Sequence, residues 1–572
     1  MAIIFFNEKI TVKEGECISL PTPSRENHDF LGWFLDDVLF DEKTAITSNI
    51  TLIAKWEQNN LYKITYVNAL DENTTLTYIK GETPAIPQTP SYEGYVFVGW
   101  FIDAEFSERY FFDYAFYEDV TLYAKYYDTS LEEYIVIYNF DQFNAIKNKP
   151  TAKYIFACDI DCGGAELSYI PALSGEIDGN GYKIHNFVIN ESGYYAGIVK
   201  ENHGVIKNLY IDNFAVNITS STAGDTFYAV LCALNYGLIS NCHILNGEFS
   251  LTTTNTARMA LIAGSVVGMN GYGDNYNGPD YVGITENCTN KAKITANLSH
   301  TGDSEVYYDI GGVVGRNTRN STISNCKNYG EVITHTKVGC KYNKCITVGG
   351  ICGWNFYGDI YTSSNHASVS STLELLGTAG QTYTYTGGGI GLNYAVISDC
   401  YSTGKVTKGE IDEYNYRYES IDYIGGFVGC NLGTITNCFT TGNSVASPSL
   451  TLYIGGFVGG NEQAGGMAST ITNCFSTGNC EIIDDVEDSL SSVYSGYFAG
   501  NNAVTIESAY YLESAKITYQ ILDNDKVEYE LTNQIGEAVS ENKFVSEDFL
   551  KNTLLFNEEI WVITEKNLPI IK

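Results

Sequence analysis

Basic residues are scarce in this sequence of 572 amino acids, where 33 Lys and Arg stand against 68 Asp and Glu. The formal charge of −35 leads us to expect no nucleic-acid partner, because nucleic-acid binding depends on a basic face that releases counterions. Attraction to an anionic membrane surface is disfavoured for the same reason. Methionine (4) and proline (10) are also few, whereas 55 Gly and 45 Tyr are typical of short strands and tight turns.

Long apolar runs are absent. No segment approaches the roughly 20 consecutive apolar residues of a membrane span, so we expect no membrane insertion within the chain. The start, MAIIFFNEKITVKEGE, lacks the basic region, apolar core and cleavage site of a signal peptide, and NLPIIK near the end is not an LPxTG sorting signal. We therefore expect a cytoplasmic protein, one released by another route, or part of a longer protein.

The usual catalytic motifs are missing as well. The sequence contains no HExxH, no Walker loop and no GxSxG, and its seven His are scattered. No four-ligand spacing predicts a zinc site. We therefore predict a protein without enzymatic activity, catalytic residues, cofactor or metal.

Self-similarity at a fixed period is the strongest pattern that is present. Between about residues 196 and 512 one unit recurs nine times, most clearly as GGFVGCNLGTITNC at residues 425–438. One aligned column is Asn in every copy, and a second column holds small or apolar residues. The first column comprises Asn202, Asn235, Asn270, Asn317, Asn355, Asn393, Asn431, Asn461 and Asn502. The second comprises Leu209, Cys242, Cys288, Cys326, Ser363, Cys400, Cys438, Cys474 and Ala509.

Stacking explains both columns. A unit of two or three short strands cannot bury its own apolar face, whereas stacked copies share one continuous core. We therefore predict an all-β fold dominated by a right-handed parallel β-helix of about nine repeats. Equivalent residues of successive coils then lie about 4.8 Å apart, so the Asn side chains can hydrogen-bond along the axis as a ladder. Paired glycines such as Gly311-Gly312 and Gly455-Gly456 suit a bend or a close approach of coils.

The repeated unit resembles the GLUG motif of bacterial surface proteins. The preceding segment FDQFNAIK (140–147) predicts a short helix that caps the stack, and YIFACDID (154–161) and SGEIDGNGYKI (174–184) predict its first strands. A short helix is predicted over 548–555. The last residues, from Ile560, resemble the usual C-terminal end of such domains. The resemblance implies a secreted or surface adhesin, with relatives among immunoglobulin A peptidases whose catalytic domain lies elsewhere.

A different repeat occupies the first 128 residues. FLGWF (30–34) precedes ITLIAKW (50–56), and FVGWF (97–101) precedes VTLYAKY (120–126). Alternation in the second member of each pair predicts half-buried strands. The pattern resembles the Listeria–Bacteroides repeat, which is related to the internalin B-repeat, and implies two small β-grasp-like repeats. In the first copy only Ala2–Phe6 could form the opening strand, which suggests a chain cut from something longer.

These patterns divide the chain into five predicted parts. They are a truncated Listeria–Bacteroides-type repeat (1–57), a second such repeat (58–128), a cap with the first coils (129–195), the GLUG-type β-helix (196–512) and a C-terminal capping segment (513–572).

Cysteine positions matter more than their number, which is 15. Stacked parallel residues direct their Cβ vectors alongside one another instead of towards each other, so we predict free thiols in the second column. A disulfide could form in either of two other pairs, Cys340 with Cys345 and Cys158 with Cys162.

Two insertions between coils are rich in tyrosine, which offers a large contact area to sugars or proteins at low entropic cost. The candidate residues for ligand binding are Tyr272, Tyr276 and Tyr281 in the first insertion and Tyr414, Tyr416, Tyr418 and Tyr423 in the second. Oxygen ligands for calcium could come from Asp274, Asn275 and Asp280. The plain alternative is that Tyr and Asn are abundant throughout the chain.

We therefore expect a non-enzymatic, extracellular or cell-surface bacterial adhesin that presents its loops to a host protein, a matrix protein or a glycan. One alternative is a β-helix polysaccharide lyase or glycoside hydrolase, which would use clustered carboxylates and basic residues. The best cluster joins Asp303, Glu305 and Asp309 to Arg316 and Arg319. A third possibility is a component of a phage or appendage fibre, which would explain the missing signal.

Overall fold

The chain forms two compact units, residues 1–131 and 132–572. The computed structural model describes residues 10–572 except 26–27, 59–60, 86, 107–108, 111, 113, 132, 273–280, 303, 340–342, 377–380, 412–419, 448–449, 464–468, 485–491, 505, 522–526, 529–534 and 565–566.

The first unit contains one small sheet for each predicted Listeria–Bacteroides-type repeat. Three described strands of the first repeat pair antiparallel: His28–Leu35, Val38–Leu39 and Ile53–Gln58. Five described strands of the second repeat form a mixed sheet: Leu61–Val67, Thr74–Ile79, Tyr95–Phe101, Arg109–Tyr110 and Val120–Asp128. The strands beginning at Leu61 and Val120 pair in parallel between antiparallel neighbours, which agrees with a β-grasp-like repeat. The predicted opening strand Ala2–Phe6 lies outside the described residues.

Each Gly-Trp pair marks the same β-bulge. The pairing register shifts between Phe30 and Gly32 in the first repeat and between Phe97 and Gly99 in the second. The two glycines have φ angles of +125° and +150°, which side chains with a Cβ rarely adopt. The bulge therefore explains the repeated glycine. The following Trp100 is buried in the sheet's own apolar cluster.

The second unit is a parallel β-helix, as predicted, whose coils each contribute to three sheets. Ten strands among the described residues form the first, called the Asn sheet here because nine of them end at the predicted Asn: Ile170–Leu173, Val199–Asn202, Cys232–Asn235, Val267–Asn270, Val314–Asn317, Cys352–Asn355, Ile390–Asn393, Val428–Asn431, Val458–Asn461 and Ala499–Asn502. Nine described strands form the second, the Gly sheet: Tyr195–Ala196, Gly224–Tyr228, Met259–Gly264, Val306–Gly311, Lys344–Gly349, Thr382–Gly387, Ser420–Gly425, Thr451–Gly455 and Ser492–Gly496.

The third sheet, called the long sheet, completes each coil with two short strands and one longer strand. Its described strands are Ile135–Ile137, Lys153–Phe156, Ile160–Glu166, Glu176–Asp178, Lys183–Glu191, Val205–Lys207, Tyr210–Ser220, Leu238–Ser240, His243–Ile244, Gly247–Asn255, Ile284–Glu286, Thr289–Asn290, Lys293–His300, Thr322–Ser324, Lys327–Asn328, Val332–Val338, Asp359–Tyr361, Ser364–Asn365, Val369–Leu375, Val396–Ser398, Tyr401–Ser402, Val406–Ile411, Thr434–Thr436, Phe439–Thr440, Ser444–Ala446, Thr470–Ser476, Cys480–Asp484, Ile506–Leu512, Ile517–Ile521, Val527–Glu528 and Glu537–Val539. Isoleucines at the centre of its short strands, such as Ile323, Ile360 and Ile397, are fully buried and form part of one core that runs through the coils.

The predicted Asn ladder is confirmed. Each Asn of the column except the last, Asn502, donates from Nδ2 to Oδ1 of the Asn in the next coil, over distances of 2.8–3.0 Å. Nδ2 also donates to a main-chain carbonyl, as from Asn393 to Ala395 O at 2.9 Å, while Asn393 Oδ1 accepts from the Ala395 N–H at 3.1 Å. One side chain therefore closes its own turn and joins neighbouring coils, which requires an amide because only an amide both donates and accepts in this way.

Replacing Asn393 by Ala is expected to lower the free energy of unfolding by about 2 kcal/mol. The change removes the acceptor of Asn355 Nδ2 and of the Ala395 N–H, and Asn431 Oδ1 keeps only the Gly433 N–H of its two donors. Each buried group left without a partner costs about 1–3 kcal/mol when nothing replaces the bond. Urea denaturation followed by circular dichroism would measure the loss. The exposed Asn297 provides the control, and an equal loss for Asn297→Ala would contradict a special role for the ladder.

The second column is a stack of free, buried thiols, as predicted. Six cysteines of this column are fully buried, and each has a free thiol: Cys242, Cys288, Cys326, Cys400, Cys438 and Cys474. The Cys438 thiol donates to the Thr436 carbonyl at 3.1 Å, and its sulfur accepts the Cys400 N–H at 3.4 Å. The residues directly before these cysteines have a positive φ angle, and most of them are Asn: Asn241, Asn287, Asn325, Asn437 and Asn473.

The other cysteine predictions have separate outcomes. Cys158 and Cys162 are free thiols, so the disulfide left open for them does not form. Cys345 is also free and lies in the strand Lys344–Gly349. Its predicted partner Cys340 lies outside the described residues.

A short helix covers the first coils, as predicted. An α-helix over Phe140–Asn144 continues as a 3₁₀ turn over Ala145–Asn148, and Asn139 caps it by accepting the Gln142 N–H. Phe143 and Ile146 are buried in the same cluster as the strands of the first coils. The 3₁₀ turn Thr129–Leu131 lies at the end of the first unit.

The C-terminal segment closes the last coil and then packs beside earlier coils. Glu537–Val539 pairs with the final coil, followed by an α-helix over Glu541–Phe544, a π-helix over Phe549–Thr553 and the strand pair Trp561–Val562 and Ile570–Ile571. The predicted helix near 548–555 is thus confirmed. Side chains of this segment cover Tyr401, Phe439 and Phe475.

One column of the repeats changes in character at the coils against which the C-terminal segment packs. The column that follows the second column begins with Tyr210 and continues as His243, Thr289, Lys327 and Ser364, and then as Tyr401, Phe439, Phe475 and Tyr510. Rings of Tyr401, Phe439 and Phe475 stack with centroids 4.8 Å apart, and Phe544 continues the stack at 4.6 Å. Polar residues in this column suit solvent, whereas the aromatic residues require the cover that the C-terminal segment provides.

Candidate binding surface

Two of the seven tyrosines predicted as ligand contacts lie on the surface together. Tyr272 and Tyr281 are 45% and 42% exposed. Their main chains exchange hydrogen bonds of 2.8 and 2.9 Å, so they close the base of the first insertion. Tyr276, Tyr414, Tyr416 and Tyr418 lie outside the described residues, as do the calcium candidates Asp274, Asn275 and Asp280.

Tyr281 belongs to an aromatic patch that the sequence analysis missed. Its ring centroid is 5.1 Å from that of Tyr236, which lies 5.0 Å from the ring of His203. Glu201 approaches His203 at 3.5 Å and Lys200 at 3.0 Å. Burial and the nearby Glu201 raise the pKa of Tyr236, so its hydroxyl remains a neutral hydrogen-bonding group. The patch combines apolar ring area with polar groups at its rim.

A second aromatic patch comes from the sequence WNFY. The rings of Trp354 and Phe356 are 4.9 Å apart, Phe356 and Tyr357 4.8 Å, and Tyr357 and Tyr394 5.7 Å. Arg316 lies over the Trp354 ring, with its guanidinium carbon 4.8 Å from the ring centroid. The cluster is half-buried.

Both patches lie on one edge of the β-helix. His203, Tyr236, Phe356 and Tyr394 each follow directly after an Asn of the ladder, where the Asn sheet turns towards the long sheet. Three coil spacings separate Tyr236 from Phe356, which is about 14 Å along the axis. The two patches, His203–Tyr236–Tyr272–Tyr281 and Trp354–Phe356–Tyr357–Tyr394, are together called the aromatic edge. The residue after each repeated Asn was the sequence signal that could have found it.

Tyr423 has a different role from the one predicted. It lies in the strand Ser420–Gly425, and its ring stacks on Tyr385 at 5.2 Å and on Tyr453 at 4.8 Å. Neighbouring rings therefore cover both of its faces. The inclusion of Tyr423 among the exposed loop tyrosines was wrong, because inter-coil stacking takes it into the sheet.

The carboxylate cluster considered for an enzyme is largely dispersed. Asp309 is fully buried, accepts a hydrogen bond from Thr347 at 2.8 Å and forms an ion pair with Arg316. Burial raises the pKa of Asp309, although Arg316 opposes this effect. Glu305 instead accepts a hydrogen bond from Tyr307 at 3.4 Å, and Asp303 lies outside the described residues. Asp309 lies in a strand of the Gly sheet and Arg316 in a strand of the Asn sheet, so their ion pair joins these two sheets.

The buried thiols are poorly suited to nucleophilic chemistry. Burial raises the pKa of Cys162 and of Cys480 to about 12, and it raises the pKa values of Cys288 and Cys438 as well. A thiol that stays protonated is a weak nucleophile and a weak metal ligand. Among the described residues, no group of three or more His, Cys, Asp or Glu is placed to hold a metal ion.

Family comparisons agree with both repeats. Residues 5–55 and 62–125 match the Listeria-Bacteroides repeat domain, and residues 307–333, 422–446 and 451–482 match the GLUG motif. The chain carries Listeria-Bacteroides repeats and GLUG motifs. Each GLUG match begins in the Gly sheet and continues into the long sheet, so the motif corresponds to most of one coil.

Known relatives match only part of this chain. A protein of Evansella cellulosilytica, provisionally named a membrane protein, is 35% identical over 138 residues, which is 22% of this chain and 20% of the relative. A second protein of that organism, provisionally named a Gly-rich membrane protein, is 31% identical over 126 residues, covering 20% of this chain and 14% of the relative. The GLUG-containing chain thus spans about a fifth or less of the length of these relatives.

Solved structures also resemble this chain. One of them comes from Bacteroides ovatus, is provisionally named an immunoglobulin A1 protease, and is 15% identical over 76% of this chain and 91% of its own, with a TM-score of 0.29. That score is too low to support a conclusion about fold or function. Separately, within the described ranges of this chain, no helix has the length and apolar character needed to cross a membrane.

Proposed function

We propose that this chain is a non-enzymatic, extracellular or cell-surface adhesin that uses its aromatic edge to bind a host protein, a matrix protein or a glycan. The observation that carries the proposal is the clustering of seven aromatic and imidazole rings on one edge of the described β-helix, with the exposed Tyr272 paired to Tyr281 through the main chain. Rings of this kind supply large contact areas with little loss of side-chain entropy, and Trp and Tyr often dominate binding energy.

The scaffold supports this role. Hydrogen-bonded ladders and a shared core fix the rings on strand ends instead of leaving them on mobile loops, which lowers the entropic cost of binding. The net charge of −35 favours solubility and weak mutual repulsion, as suits an exposed protein. The names of the Evansella relatives support attachment to a cell envelope, and the buried Asp309–Arg316 pair favours binding over catalysis.

A glycan-array and cell-binding screen with the full chain, with and without a chelator, tests the proposal. We expect binding without cleavage of the bound polysaccharide, and at least about a tenfold loss of affinity in Tyr236→Ala/Tyr281→Ala or in Trp354→Ala, since a well-placed ring contributes more than about 1.4 kcal/mol. Tyr138→Ala is the matched control, because Tyr138 is 54% exposed but lies near the capping helix.

Each other result has a clear meaning. Binding that survives all three edge substitutions would reject the aromatic edge as the contact surface. Cleavage of an array polysaccharide would reject the non-enzymatic assignment in favour of a lyase or hydrolase, with Glu305 and Arg319 tested next. No binding to glycans, matrix proteins or cells would leave a spacer and reject the adhesin proposal for this chain.

A further inference from the structure

Lys408 and Asp422 meet inside the β-helix. Their side chains are both 0% exposed, and Lys408 Nζ lies 3.2 Å from Asp422 Oδ2. Lys408 lies in the long-sheet strand Val406–Ile411 and Asp422 in the Gly-sheet strand Ser420–Gly425. The pair therefore connects the long sheet to the Gly sheet within one coil.

The surroundings exclude bulk water. Val406, Ile424, Ala446 and Leu452 are buried in one apolar cluster around this part of the interior. Two opposite charges placed in such a site lose most of their hydration, and their attraction offsets this loss only when geometry and further hydrogen bonds are good.

The contact lacks the geometry of a good ion pair. Within the described residues, Asp422 Oδ2 accepts no hydrogen bond of normal geometry, although Lys408 Nζ lies 3.2 Å away. The Thr384 hydroxyl instead donates to Asp422 Oδ1, and Nζ donates to the Gly409 carbonyl at 3.3 Å. A buried amine held at this distance from a carboxyl group, without a regular hydrogen bond to the nearer oxygen, can approach the carboxyl carbon.

We propose that Lys408 and Asp422 condense to an intramolecular amide, an isopeptide bond. One proton moves from the ammonium to the carboxylate, which gives an amine and a carboxylic acid. The nitrogen lone pair then attacks Cγ of Asp422, and negative charge develops on Oδ1, where the Thr384 hydroxyl stabilises it. Collapse of the intermediate breaks the Cγ–Oδ2 bond, a second proton moves from nitrogen to Oδ2, and water leaves.

The step needs no other reagent. One N–C bond forms, one C–O bond breaks, no atom is oxidised or reduced, and the product is an amide plus one water molecule. Fixed proximity of the two groups replaces the encounter of separate reactants, which lowers the barrier. The product removes two buried charges and ties the long sheet to the Gly sheet in a way that reducing agents cannot reverse.

Intact-mass spectrometry of the purified full chain tests the proposal. We expect a mass lower than that of the sequence by one water molecule, and a branched peptide joining Lys408 to Asp422 in tandem spectra after digestion. Lys408→Ala should have the full mass calculated from its own sequence, with no loss of water. Thr384→Val should keep the pair but slow the loss of water at least tenfold after refolding.

A surface pair provides the matched control. Lys337 pairs with Glu374 on the exterior, where the Lys side chain is 46% exposed, and Lys337→Ala should leave the loss of water unchanged. Wild-type protein that keeps its full sequence mass after prolonged incubation would overturn the proposal. Loss of water without the branched peptide would overturn it too, because the missing water would then come from another site.

Discussion

Replacing Gly425 by Ala is expected to destabilise the β-helix by about 3 kcal/mol, the upper part of the range for overpacked sites. A Cβ at this position would lie 2.0 Å from the Val428 carbonyl oxygen, 2.7 Å from that of Phe457 and 2.9 Å from the Gly459 nitrogen. All three are main-chain atoms of the bend between the Gly and Asn sheets or of the next coil. Because no flexible side chain can move aside, the strands themselves must separate.

Urea denaturation would measure the loss for Gly425→Ala, and hydrogen exchange would locate it in the coil of Val428–Asn431 and its neighbours. Gly193 is the matched control, since no heavy atom of the described residues lies within 4 Å of a Cβ built there. Gly193→Ala should change stability by less than about 0.5 kcal/mol. If Gly425→Ala changed the free energy of unfolding as little as Gly193→Ala, the close approach of the two sheets would not explain the repeated glycine.

Replacing Trp561 by Ala is expected to release the C-terminal segment, at a cost of about 4 kcal/mol. Trp561 is 1% exposed, and its ring lies 4.8 Å from Phe556 and 5.8 Å from Phe439. Its Nε1 also donates to Asp399 Oδ1 at 3.1 Å within the buried contact. The substitution therefore removes both ring packing and a hydrogen bond to a carboxylate.

Limited proteolysis with mass analysis of the products would detect this release as faster cleavage between the last coil and Trp561. Trp561→Phe keeps most of the ring and removes only the N–H, so we expect an intermediate effect of about 1–2 kcal/mol. Val562→Ala is the control on the same strand, because Val562 is 37% exposed. Equal cleavage rates for Trp561→Ala and Val562→Ala would show that the ring does not hold the segment.

The repeat columns made most of the fold predictable. Asn at a fixed period predicted the ladder, and Cys242 and its equivalents predicted a buried stack of thiols, because identical side chains in parallel coils share one environment. The capping helix at Phe140 and the helix near Phe549 were predicted from local sequence alone. These features depend on short-range pattern or on strict repetition, which a single sequence displays directly.

The remaining features depend on contacts between segments far apart in the chain. Tyr401 meets Trp561 only because the C-terminal segment folds back, and no local pattern shows that return. The aromatic edge was missed because Tyr236 and Phe356 occupy an aligned position that varies from coil to coil. Tyr423 was wrongly assigned to an exposed loop because tyrosine-rich sequence looks alike in an insertion and in a stacked strand.

The change from polar to aromatic residues in the docking column has an evolutionary consequence. Coils with Thr289, Lys327 or Ser364 in this column contact mainly their immediate neighbours, as in other solenoids. Duplication or loss of one whole coil there would keep every ladder in register. The coils of Phe439 and Phe475 also pack against rings of the C-terminal segment, so a coil added or lost there would disturb that contact. Descendants of this gene can therefore lengthen or shorten the protein in its earlier coils, while the last ones are inherited as a block.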